Sequence, residues 1–150
     1  MITFIPGDWL FQGTLIYLPS ELSFDTINRK IAGVASVLVN DINIEFSENR
    51  EAVAVWGLCP LSSWNRGSVP EPASRSGRIR VEEELTPGIA IRATPPGTYW
   101  PVTFDEASGW LYVGQEMLSG DQAIEFLEGC VVGLRDGKIV GLFLHPECHQ

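Results

Sequence analysis

The side chains best equipped for chemistry stand together near the carboxyl end, where His145, Cys148 and His149 fall within the run HPECH. Thiolate and imidazole ligands at this spacing suit zinc or copper. The same residues could also pair as a Cys-His nucleophile, which demands rigid, partly buried support. A structural zinc site takes three or four ligands. The only distant thiols are Cys59 and Cys130, and Cys130 sits in an apolar run. The plainer alternative is a frayed terminus beyond the last strand. No metal or other cofactor is therefore expected.

A second constellation is aromatic. Tyr99, Trp100, Phe104, Trp110 and Tyr112 crowd two adjacent expected strands, with Asp105 between them. They could wall an apolar pocket for a small ligand, with Asp105 as a polar group. They could equally be cross-strand pairs that stabilise a sheet. Trp64 lies in the polar stretch 62–77, SSWNRGSVPEPASRSG, and is either folded back on the core or an interaction anchor. That stretch is long for an ordinary connection, which marks it as a functional or mobile loop. The chain has no serine nucleophile elbow and no GxxxxGK phosphate loop. Glu82, Glu83 and Glu84 form a charge run of the kind found at solvated strand ends.

The element that must position these groups is residues 129–144, GCVVGLRDGKIVGLFL. Two apolar runs flank Asp136-Gly137, a pair that accepts the positive φ of a type I′ turn. A two-residue loop sets Arg135 opposite Lys138, Leu134 opposite Ile139, Gly133 opposite Val140, Val132 opposite Gly141, Val131 opposite Leu142 and Cys130 opposite Phe143. Leu134, Ile139, Val132, Cys130 and Phe143 then share one face, and Val140, Val131 and Leu142 the other. Both faces are apolar, so both must be covered, by the rest of the chain or by a second copy. Arg135 and Lys138 break the pattern, and like charges directly opposite repel.

Further strands are expected over 8–18, with a bend at Gly13, and over 33–39, 42–47, 51–58, 78–82, 88–93, 99–104 and 109–115. Pro101 confines its strand to an edge or interrupts it. Two segments read as helix. In 23–32, Phe24, Ile27 and Ile31 have helical spacing, with a hairpin turning at Asn28-Arg29 as the rival. In 119–129, Ser119 and Gln122 match a capping box, Asp121 suits the positive end of a helix dipole, Ala123, Ile124 and Leu127 form a stripe, and Gly129 closes it.

Composition bounds the function. The chain has 150 residues, 45% of them hydrophobic, and a net charge of −9. That is enough for one domain with a real core. No Lys or Arg occurs between Ala93 and Leu134, a span holding six acids. Nucleic acid binding requires phosphate neutralisation, and anionic membrane binding requires a basic surface, so neither is expected. The opening MITFIPGDWLFQG lacks the basic and apolar regions of a signal peptide, and no run approaches the length of a membrane span. Three cysteines without such a signal fit a reducing cytoplasm.

From Val102 onward the chain resembles a family of small uncharacterised bacterial proteins. The matching residues are Phe104-Asp105, Leu111-Tyr112-Val113, Val131-Val132, Asp136-Gly137 and Ile139-Val140-Gly141-Leu142. The family pattern has a further Asp where this chain has Gly109, and acids at Gly133 and Phe143. Any chemistry those carboxylates carry is lost here, and the resemblance implies no transferable activity. The first half holds a degenerate parallel: Ile44-Glu45-Phe46 and Val53 to Gly57 echo Val102-Thr103-Phe104 and Trp110 to Gly114, and Pro87 to Ile91 echoes Glu128 to Val132. Residues 33–97 and 98–146 would then be two related β units. Such pairs commonly pack about a pseudo-twofold axis.

The expectation is a single α+β domain over 1–150, mostly antiparallel sheet with one or two short helices. Its function is expected to be that of a non-catalytic binding or assembly module, forming a homodimer. The alternative is a small-molecule-binding protein or enzyme with an aromatic-lined pocket around Tyr99, Trp100, Trp110 and Tyr112.

Overall fold

The computed structural model describes residues 1–8 and 13–148. The strands are β1 (Ile2–Pro6), β2 (Thr14–Leu18), β3 (Ser23–Ile27), β4 (Ala35–Val39), β5 (Ile42–Phe46), β6 (Ala52–Leu58), β7 (Trp64–Arg66), β8 (Arg75–Val81), β9 (Ala90–Arg92), β10 (Val102–Phe104), β11 (Leu111–Gly114), β12 (Gln122–Leu127), β13 (Cys130–Arg135), β14 (Lys138–Leu144) and β15 (Glu147–Cys148). Eight form a sheet in the order β1-β8-β12-β13-β14-β11-β10-β7, and seven form a second in the order β15-β2-β3-β6-β5-β4-β9. One buried cluster joins the two inner faces. It includes Leu15, Phe24, Ile44 and Val55 from the smaller sheet and Ile79, Leu111, Ile124 and Leu142 from the larger. This is two-layer sheet packing, in which alternate residues of each strand point inward. Strands β10 to β14 all lie in the larger sheet, whereas the strands of residues 33–97 divide between the two sheets.

The α+β expectation is overturned. Among the described residues the only helical turn is the 3-10 segment Leu61–Ser63. Residues 23–27 are strand, pairing with β2 from Ser23↔Leu18 to Ile27↔Thr14. Phe24 and Thr26 point inward and are buried. Thr26 donates its hydroxyl to the Val55 carbonyl at 2.8 Å and accepts the Val55 N–H at 3.0 Å. It thereby completes the β3–β6 seam beyond the last laddered pair, Phe24↔Gly57.

Residues 122–127 are strand for a similar reason. Ile124 and Phe126 reach the core at period two, and that spacing outweighs the stripe of Ala123, Ile124 and Leu127. The would-be capping box is a turn: Gly120 has φ +93°, and the Asp121 carboxylate accepts the Leu118 N–H at 2.8 Å. Gly129, expected to close a helix, instead turns β12 into β13 with φ +77°. Short periodic windows fit both structures, and the available sheet partners decide between them.

The hairpin of β13 and β14 turns at Asp136 and Gly137 with φ +51° and +76°, the type I′ signature. Arg135 faces Lys138 and Leu134 faces Ile139 as read from the sequence. Beyond them the register shifts, so that Gly133 faces Gly141, Val132 faces Leu142, Val131 faces Phe143 and Cys130 faces Leu144. Val140 is the extra residue of a β-bulge, and one extra residue exchanges the faces of everything after it. Leu142 and Leu144 therefore join the core with Cys130, Val132, Leu134 and Ile139. Phe143 and Val131 lie on the outer face. Repulsion at the tip is relieved because Arg135 donates twice to Asp121, at 2.9 and 2.8 Å.

No helix among the described residues is long and apolar enough to cross a membrane.

Candidate functional site

The outer face of the eight-stranded sheet carries a file of aromatics. Antiparallel pairing of β11 with β14 sets Tyr112 opposite Phe143, with ring centroids 4.3 Å apart. Two residues outward along each strand, Trp110 stacks on His145 at 5.0 Å. Toward the other end the side chains vanish: Gly114 faces Gly141, and Gly141 faces Gly133. The Tyr112 ring lies on Gly141, and its hydroxyl donates to the Gln115 carbonyl. Burial, then the charge of Asp121, pushes the Tyr112 phenol up to about 12, so it stays protonated.

Over this face runs the connection from β7 to β8. β7 is the outermost strand on one side, and β8 lies beyond β12 on the other, so the connection crosses five strands. Six inter-strand steps span about 29 Å, and the nine residue steps from Arg66 to Arg75 reach at most about 32 Å. The connection is therefore nearly straight. Its sequence suits this, because Pro70 and Pro72 hold extended φ values and push Val69 and Glu71 into the extended region.

Residues 68–73 thus form a strap. Its anchor is Val69, 5% exposed, packed on Trp110 and Val131 with Tyr112, Ala123 and Phe143 alongside. Both Val69 main-chain groups are taken by side chains of the 105–108 turn. Asp105 accepts the N–H at 2.9 Å, and Ser108 donates its hydroxyl to the carbonyl at 2.6 Å. Asp105 also accepts the N–H groups of Ala107 at 2.9 Å and Ser108 at 3.3 Å. These bonds, led by that from Val69, hold its carboxyl below the usual carboxylate range.

Two cavities flank the strap, and Glu71 lines both. One, of about 390 Å³, is walled by Trp110, His145, Gly129, Glu125, Glu128 and Glu147 among others. Burial first, then the charges of Glu128 and Glu71, raises the Glu125 carboxyl above its ordinary value. The other, of about 650 Å³, is walled by Thr103, Tyr112, Met117, Phe143, Pro70 and Pro72 among others.

The remaining sequence candidates sit elsewhere. Trp64 packs between Tyr17 and Phe104, at 5.1 and 5.0 Å, and donates to the Cys59 sulfur at 3.3 Å. Burial pushes the Cys59 thiol up to about 11, and drives the fully buried Cys130 thiol up as well. Trp100 is buried and held through its main chain by Asn40, which accepts its N–H at 2.8 Å and donates to its carbonyl at 2.9 Å. Tyr99 is exposed and donates to Asp41 at 3.0 Å. Tyr99 and Trp100 line a separate cleft of about 340 Å³. The expected aromatic constellation is thus divided among the core, this cleft and the outer face.

Of the terminal cluster, His145 stacks on Trp110, and residues 147–148 pair with Ile16 and Tyr17 of β2 rather than hanging free. His149 lies outside the described residues. Among those described, no group of three His, Cys, Asp or Glu side chains is placed to hold a metal ion. The residue that sequence reasoning passed over is Val69, whose signal was a lone aliphatic between Ser68 and Pro70 in a polar loop.

No protein-family model matches the chain, and no curated protein is significantly similar to it.

Proposed function

We propose that this chain is a non-catalytic binding module whose working surface is the outer face of the eight-stranded sheet. The observation that carries this reading is the pair of open cavities, about 390 and 650 Å³, on an aromatic floor formed by Trp110, Tyr112 and Phe143. Concave, aromatic-floored sites of this size are where ligands gain most from burial. Two polar groups of this face are tied to structure: Asp105 accepts main-chain donors, and the Tyr112 hydroxyl is bonded and protonated. Neither is the available group that a general base or nucleophile requires. The net charge of −9 leaves nucleic acid and anionic membranes outside the proposed partners.

The test is a fragment and short-peptide screen by NMR on the full chain. Binding that moves the Trp110 indole and the Tyr112 and Phe143 ring signals supports the reading. Hits confined to the Tyr99–Trp100 cleft would favour the small-molecule alternative, and no hits at either site would end both.

Self-association is a second reading, favoured by one observation. Trp56 and Leu58 are 40% and 55% exposed on the outer side of the smaller sheet, and exposed apolar side chains grouped on one face mark contact surfaces. Mass measurement of wild type against Trp56→Lys tests it; a wild-type monomer at high concentration ends it.

A further inference from the structure

We infer that the outer face is a groove for an extended peptide with an aliphatic anchor and basic flanks, and that the chain's own residues 68–73 hold this place in cis. The inference rests on the binding reading above and names the partner class. The strap is held as a ligand is held. One side chain, Val69, is buried between exposed Ser68 and Pro70, and its N–H and carbonyl are read by Asp105 and Ser108 rather than by a sheet ladder. An extended, proline-containing segment on aromatic side chains is a recurrent peptide-recognition arrangement, because the peptide loses little entropy on binding. The receiving turn is built independently of the strap, since Ala107 and Ser108 N–H groups already orient Asp105.

The strap also fits its groove imperfectly. Space of about 390 and 650 Å³ remains on its two sides. Its charge is wrong as well. Glu71 enters a surface that carries Glu128 on one side and Glu116 on the other, and among the described residues no Lys or Arg lines either cavity. Asp121, which also lines the larger cavity, is paired with Arg135. A peptide with Lys or Arg at the positions flanking the anchor would gain where the strap loses.

The experiment uses the full chain with Val69→Ser, which removes the anchor and leaves the groove intact. The probe is a fluorescein-labelled peptide of residues 66–74 carrying Glu71→Lys, followed by anisotropy. The Val69→Ser protein should bind it about tenfold or more tighter than wild type, because cis competition lowers the open fraction. Binding should weaken with salt, be weaker for the unaltered Glu71 peptide, and vanish when Trp110→Ala is added. Should Val69→Ser fail to fold, Val69→Ala with unchanged circular dichroism replaces it, weakening the same anchor and leaving the receiving turn untouched. A folded variant whose strap is cleaved faster by protease, yet binds neither peptide at millimolar concentration, overturns the inference. If screening hits still map to Trp110 and Tyr112, the binding reading survives that outcome; if they do not, both fall. Equal binding by wild type and Val69→Ser overturns the cis-competition claim.

Discussion

The Tyr112 ring lies against Gly141, so close that a Cβ at position 141 would overlap it. The file Gly114, Gly141 and Gly133 runs in register across β11, β14 and β13. It leaves a trough in the sheet: Tyr112 fills it over Gly141 and Gly114, where its hydroxyl reaches Gln115, and Met117 covers Gly133. Glycine ordinarily weakens a strand; here its missing side chain makes room for an aromatic floor.

Gly141→Ala should therefore displace the ring and cost about 1–3 kcal/mol, as overpacking does. Denaturant melts of Gly141→Ala, Tyr112→Ala and the double variant check this. The two effects should be strongly non-additive, since removing the ring removes the clash. Simple additivity would show that the ring and the glycine are not in contact in solution.

The Asp105 clamp gives the strap a pH dependence. Its carboxyl titrates below its unfolded value because main-chain donors favour the charged form. The clamp thus contributes fully above the unfolded pKa of about 3.9 and is lost as pH falls through the lower, folded value. The Val69 amide resonance should hold its position down to mildly acid pH and then move toward that of a free loop. Asp105→Ala should show the free-loop position at neutral pH, with faster protease cleavage within 62–77.

Thr26→Val should cost about 1–3 kcal/mol, because the buried N–H and carbonyl of Val55 both lose their partner. Thr26→Ser keeps the hydroxyl and should retain most of that stability. Equilibrium unfolding of the pair checks it; equal losses would assign the effect to packing alone.

Deleting Val140 removes the bulge residue and leaves a regular hairpin in which Gly141 still faces Gly133 and Leu142 still faces Val132. Leu142 should therefore stay in the core and Phe143 on the outer face against Tyr112. NMR of the deletion variant checks this; loss of the Tyr112–Phe143 ring contact would mean that β14 has turned over.

Much of the fold was legible because turn chemistry is local. Asp136-Gly137 accepts positive φ wherever it occurs, and Asn40, at the expected turn between β4 and β5, also has positive φ, +54°. The two helix expectations erred where the pattern was ambiguous within ten residues. Phe24 and Thr26, like Ile124 and Phe126, have the spacing of a strand, while neighbours have that of a helix. Only the presence of β2 and β6 beside one, and of β13 and β8 beside the other, selects the strand. Trp110 and Tyr112 were visible as candidates, but Val69 was not, since its importance comes from a turn almost forty residues away.

By itself the amino-acid sequence determined that the chain turns at Asp136-Gly137, that both sides of that ribbon need cover, and that residues 62–77 form a long polar connection. Those properties are local: they depend on backbone preferences and on how many apolar side chains each segment carries. The tertiary structure alone decided that Val140 bulges, that Leu142 rather than Phe143 enters the core, and that the polar connection supplies the outer cover. Each of these is a contact between distant residues, and its energy exists only once the two sheets have packed.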